Sequence, residues 1–182
     1  MADSLFPKDM LAGGLKPRSR NPLLSNECVT LLQYRIKQEE QSSRLYLSMS
    51  LWLNNEGYTG AASLWLKYSQ EEFAHANWSR DYLLSMGIVP EVPQLTAEPS
   101  VHKGLPQIIE DSYDHEIVVT KQCKELADKA FKSGDYMLYI LASQYLREQI
   151  EEHDKMQTWV DKLAAFGTDK IALRLLDNEM GG

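Results

Sequence analysis

Four glutamates, Glu39, Glu72, Glu116 and Glu152, stand on helical stripes that should be apolar. His75 follows Glu72 by three residues and Gln149 precedes Glu152 by three, so each pair projects from one helix face. Tyr46 lies seven residues after Glu39, again on the same face. Four carboxylates in one dry layer cannot all remain ionised without cations, because desolvation and mutual repulsion both raise their pKa values. Two divalent ions carry enough positive charge to neutralise them. Oxygen donors with an imidazole suit iron or manganese better than copper or structural zinc. The expected chemistry is therefore that of a buried metal pair.

Each of these residues has an ordinary explanation when taken alone. A single Glu-x-x-His is more often a solvated surface pair, and Glu39 beside Glu40 reads the same way. Tyr46 alone is a core tyrosine. His115 neighbours Glu116 but points about 100° away from it, which gives it an outer or surface role. His102 and His153 have no constellation around them and read as surface residues. Trp52, Trp65, Trp78 and Trp159 read as packing residues. Glu71, Glu148 and Glu151 are either solvated or form a third, looser cation site beside Glu72 and Glu152. Only the joint pattern, with acids at one height on four helices, argues for a centre.

The elements that must deliver these residues follow from periodicity. A first helix is predicted over about Asn26 to Asn55, with Leu32, Ile36, Glu39, Ser43, Tyr46, Ser50 and Leu53 facing inward. Gly57 ends it and Thr59 can cap the second helix, from about Gly60 to Met86. That helix turns Leu64, Tyr68, Glu72, His75, Ser79 and Tyr82 inward and stops at Gly87. Pro106 opens a third helix that runs to about Lys132, with Ile109, Tyr113, Glu116, Thr120, Cys123, Ala127 and Ala130 inside. After the turn at Ser133-Gly134-Asp135, a fourth helix spans about Tyr136 to Phe166, with Tyr145, Gln149, Glu152, Met156 and Trp159 inside. A short fifth helix ends near Met180.

Loop lengths set the topology. Short first and third connections make antiparallel helix pairs. Residues 88–105 form an 18-residue connection carrying Pro90, Pro93, Pro99 and Gly104. At roughly 3.3 Å per residue it can reach about 60 Å, against about 40 Å for a 27-residue helix. It can therefore cross the whole bundle. The predicted fold is all-α: a four-helix bundle with one long crossover and a short fifth helix at the C-terminus. Residues 1–24, broken by Pro7, Gly13, Gly14, Pro17 and Pro22, read as a flexible N-terminal arm, and residues 25–182 as one domain.

Composition narrows the function classes. The net charge of -7 argues against nucleic-acid binding, which calls for a basic surface. No apolar run approaches 18 residues and no secretory leader is evident, so no membrane span and a cytoplasmic setting are expected. Cys28 and Cys123 form no framework and no CxxC pair, and read as reduced packing residues.

The segments Glu39-Glu40-Gln41-Ser42-Ser43 with Tyr46, Gln70-Glu71-Glu72-Phe73-Ala74-His75, Tyr113-Asp114-His115-Glu116 and Glu148-Gln149-Ile150-Glu151-Glu152 together resemble a non-haem ferritin of the prokaryotic type. The resemblance spans nearly all of residues 25–180. It implies a ferritin-like fold with an intrasubunit di-iron centre that oxidises Fe(II) with dioxygen or peroxide. It further implies Fe(III) mineral stored in a homo-oligomeric cage of 24 subunits. Carried over, it places Glu39, Glu72 and His75 at a first iron site and Glu72, Glu116 and Glu152 at a second, with Glu72 bridging and Gln149 alongside. It places Tyr46 next to the centre, and Glu71, Glu148, Glu151 and Glu152 at a third site. Bacterioferritins differ in carrying Glu-x-x-His where this chain has Gln149-x-x-Glu152, and a haem-binding methionine where this chain has Phe73. No haem is therefore expected. Tyr139 and Ala142 stand where animal shells line an entry channel with acids. Two rival readings stay open on the residues: a di-iron oxygenase acting on an organic substrate, and a bundle whose buried acids hold metal only for stability.

Overall fold

The computed structural model describes residues 24–182. Five helices follow one another: α1 (Asn26–Asn55), α2 (Thr59–Ser85), α3 (Leu105–Ser133), α4 (Tyr136–Phe166) and α5 (Lys170–Met180). No strand occurs among the described residues. The expected bundle, crossover and short fifth helix are all present. The arm expected over residues 1–24 lies outside the described residues except for Leu24, which is buried in the core.

Local chemistry explains the helix ends. Ser25 caps α1 by accepting from the Cys28 amide at 3.1 Å. Asp135 caps α4 through the Leu138 amide at 3.0 Å, right after Gly134 has closed α3 in the left-handed conformation at φ 72°. The expected Thr59 cap is not found. Thr59 is already the first helical residue, and Tyr58 precedes it without a side-chain cap. This end of α2 is instead held by α5, where Asp177 Oδ1 accepts from the Ala61 amide at 2.8 Å. Gly60 makes that approach possible, since a Cβ there would lie 1.9 Å from the Asp177 carbonyl oxygen.

The crossover runs along α1. Gln33 accepts from the Glu91 amide at 3.1 Å, Gln41 exchanges two hydrogen bonds with Thr96, and Ser48 bonds His102 at 2.9 Å. Residues 33 to 48 cover roughly 22 Å of helix at 1.5 Å per residue. The loop thus carries the chain from the end of α2 back toward its start. His102 is half-buried, with its ring against Trp52, rather than a surface residue. His153 is likewise half-buried against Tyr113.

Two apolar clusters fill the bundle. One gathers Leu32, Ile36, Leu83, Leu126 and Leu138 near the α3–α4 turn. The other gathers Met49, Leu53, Trp65, Ile108 and Met156 toward the α5 end. A polar layer lies between them. Some inward positions differ by one residue from expectation. Ser42, Trp65, Ser112 and Val119 are buried, whereas Ser43, Leu64, Tyr113 and Thr120 are only half-buried. Both cysteines are free and buried.

Candidate metal centre

The polar layer draws on all four long helices. α1 supplies Glu39 and Tyr46, α2 supplies Glu72 and His75, α3 supplies Glu116, and α4 supplies Gln149 and Glu152. All seven are buried. Donor atoms of Glu39, Glu72 and His75 fall within 4.8 Å of one another, as do those of His75, Glu148 and Glu152. His75 belongs to both groups. Its Nδ1 lies 3.8 Å from Glu72 and its Nε2 lies 3.6 Å from Glu148.

Glu116 joins the layer through hydrogen bonds. Tyr46 donates its hydroxyl to Glu116 Oε1, and Gln149 donates to Oε2 at 3.3 Å. Thr120 fixes the Gln149 amide by donating to its Oε1 at 2.7 Å. Gln149 is therefore oriented with its nitrogen toward the carboxylate. Tyr145 donates to the His75 carbonyl oxygen at 2.9 Å and ties α4 to α2 at this height.

The electrostatics follow from burial. Desolvation, then the neighbouring Glu39 and Glu116, hold the Glu72 carboxyl well above the ordinary carboxylate range. Burial also pushes Glu116 up to about 7, against the lowering effect of the Tyr46 and Gln149 hydrogen bonds. Glu152 is raised by burial and pulled back by Lys155. Tyr46 is raised by burial and by Glu116, so its phenol stays protonated. A layer of acids that resist ionisation in the free protein is one that gains by meeting cations.

Two cations of the chain itself, absent from the sequence-based expectations, stand beside these acids. Arg35 is buried on α1, with its Nε 2.7 Å from Glu39 Oε1. Lys155 on α4 places its Nζ 2.8 Å from Glu152 and 3.4 Å from Glu71. The simple balance of four acids against two divalent ions is therefore corrected, because two of the acids already face a tethered positive charge. Both cations obey the spacing rules used for the other residues, four before Glu39 and three after Glu152. Periodicity alone could have flagged them.

Other expected residues are placed more loosely. Glu71 is half-buried and held between Lys155 and Lys67, the latter at 3.6 Å. Glu151 is exposed and joins neither group. His115 is no surface residue. Its Nε2 lies 2.8 Å from the Ser42 hydroxyl, and its ring stands edge-on to Tyr46. Burial, then the Arg35 charge, lower His115 to about 4.

Residues 29–166 match the family model of the ferritin-like domain. A probable bacterial non-heme ferritin-like protein of Haemophilus influenzae is 33% identical over 159 residues, covering 87% of this chain and 96% of the relative. A bacterial non-heme ferritin of Bacteroides fragilis is 31% identical over 159 residues, covering 87% and 99%. Among solved structures, an open pore ferritin from the archaeon Archaeoglobus fulgidus superposes with a TM-score of 0.83 at 32% identity, covering 87% and 98%.

Proposed function

The chain belongs to the ferritin-like domain family, and from that premise we propose that it oxidises ferrous iron in the polar layer and stores the ferric product inside a homo-oligomeric cage. The observation that carries this reading is the convergence of Glu39, Glu72 and His75 within ligand distance of one another in the bundle interior. Iron is the substrate here. Two Fe(II) ions bind, one at Glu39, Glu72 and His75 and one at Glu72, Glu116 and Glu152, with Glu72 shared. The donor set fits, since carboxylate oxygens and one imidazole accept Fe(II) and hold Fe(III) more strongly. Paired metals in such sites sit roughly 3.5–4 Å apart.

The electrons balance simply. Each Fe(II) gives one electron, and dioxygen with two protons becomes hydrogen peroxide, or peroxide with two protons becomes two waters. The chain's residues prepare the site for this. Burial keeps bulk water out of the layer. Gln149 and Tyr46 hold Glu116 in place, and Thr120 holds Gln149. Tyr46, next to the centre, has a protonated phenol within reach of Glu116. Glu148 and Glu152, with His75, form a second ligand group on the α4 side, joined to the first through His75. With Glu71, which shares Lys155 with Glu152, and with the exposed Glu151 joining on cation binding, this group is the proposed third site, the place where product leaves.

Haem has no part in the proposal, since Phe73 is exposed on α2 and brings no axial ligand. The cage is proposed to hold 24 subunits, in a cytoplasmic setting. No helix among the described residues is long and apolar enough to cross a membrane. Residues 1–23 are proposed as an arm outside the domain, the expected boundary moving back by one because Leu24 packs in the core.

Aerobic addition of ferrous iron tests the reading. The protein should take up many iron atoms per subunit and retain them in a particle of cage size. An oxygenase of organic substrates would stop near two atoms, and a structural bundle would show no fast oxidation. Either of those outcomes sinks the proposal.

A further inference from the structure

Arg35 has no part in the chemistry proposed above, yet it sits one helical turn from Glu39 in the bundle interior. Its side chain is 2% exposed, and Nε is 2.7 Å from Glu39 Oε1. Nη1 donates to Gln122 Oε1 at 3.0 Å, and the guanidinium lies 5.7 Å from the centre of the Tyr145 ring. Nη2 is buried without a hydrogen-bond partner among the described residues, and so is Nε, whose contact with Glu39 is an ion pair without hydrogen-bond alignment. A guanidinium stays charged at every pH the fold survives.

Stability does not account for this arrangement. A buried ion pair is on balance no more stabilising than apolar side chains of the same volume, and the unpaired Nη2 adds a desolvation cost. What Arg35 does alter is the field in the layer. Carboxylates attract a trivalent ion half as strongly again as a divalent one, because the Coulomb energy scales with charge. A layer of four unopposed acids would hold its oxidised product more tightly than its substrate and would become a trap. One fixed positive charge beside Glu39 acts in the opposite sense, and it too acts more strongly on the trivalent ion.

We infer that Arg35 is a positioning residue that acts through Glu39 to weaken the layer's hold on cations, on trivalent ions more than on divalent ones, so that oxidised product leaves and the site is used again. The inference rests on the ferroxidase reading. Lys155 does not do the same work, since it is a third exposed and pairs with acids on the opposite flank.

The test is titration calorimetry of the intact oligomer with Zn(II) and, separately, with Tb(III). Arg35→Met removes the charge and keeps the volume. It should tighten Zn(II) binding about tenfold and Tb(III) binding roughly 30-fold, the three-halves power that charge scaling requires. Arg35→Lys should stay near wild type. Gln122→Glu neutralises Arg35 in place and should shift both ions in the same direction as Arg35→Met, which decides the matter if the methionine variant fails to fold. In aerobic loading, the neutralised variants should oxidise the first two irons per subunit quickly and then slow. Binding no tighter than wild type, or equal gains for the two ions, would overturn the inference. Wild-type protein that binds no Zn(II) in the layer would instead overturn the ferroxidase reading itself.

Discussion

The two flanks of the polar layer carry the same device in different surroundings. On the α1 flank Arg35 and Glu39 are each 2% exposed, whereas on the α4 flank Lys155 is 33% exposed above a Glu152 that is 2% exposed. A charge pair sealed from water interacts through a low dielectric and is barely screened by salt. A pair that reaches solvent is screened and can let go. Lys155 is thus held by a screened contact with Glu71 and Glu152, while Arg35 is enclosed with Glu39. The first flank carries an enclosed charge pair, and the second one that solvent reaches. Burial, rather than residue type, separates the two roles.

The largest effect expected from breaking this contrast is on the metal-free fold. Arg35→Met leaves Glu39 buried without its counter-ion and should destabilise the metal-free protein by about 3–5 kcal/mol. Denaturant unfolding with and without Zn(II) checks it, since bound metal should restore much of the loss. A variant as stable as wild type without metal would show that the pair is no more consequential than a surface one.

Next in size is a pH effect. Burial raises Glu116 from an ordinary 4.5 to about 7, and Glu72 moves in the same direction. A carboxyl raised in the folded state contributes stability that is complete below its unfolded value and is lost as pH rises through the folded one. Metal-free protein should thus lose about 3 kcal/mol from Glu116 alone between pH 4.5 and 7. Thermal melts of the metal-free protein across that window should fall, and saturation with Zn(II) should flatten the trend. A rising trend would contradict the dry layer.

Glu72 lies between the flanks and belongs to both proposed sites. Glu72→Ala should slow initial ferrous oxidation by about 100-fold or more, beyond the 10- to 100-fold typical of groups that only support a ligand. Stopped-flow absorbance on aerobic iron addition measures it, and an unchanged initial rate would remove Glu72 from the centre. The smallest effect belongs to the open flank. Lys155→Met should cost about 1–2 kcal/mol, less than Arg35→Met, because Glu152 stays buried but the ammonium it loses is partly screened. A loss matching that of Arg35→Met would erase the difference between the flanks.

The bundle was legible because long amphipathic helices declare themselves over many turns, and because an 18-residue link has few uses other than to cross one. Glu39, Glu72, Glu116 and Glu152 were legible because acids on four apolar stripes are locally inconsistent. Arg35 and Lys155 have the same helical spacing but no such inconsistency to mark them. A basic residue one turn from an acid is ordinarily a surface pair, as with Lys132 and Asp128 in this chain, whose side chains are 71% and 54% exposed. Sequence alone does not separate those cases.

Residue period and chain length are enough to dictate the helices, their order, the crossover and the height at which the acids meet. How wet each charge is, that α5 rather than Thr59 holds the start of α2, and that His115 turns inward to Ser42 emerge when the helices pack together. Those are properties of what packs from other helices. A side chain's dielectric surroundings are set by neighbours distant in sequence, and no local pattern records them.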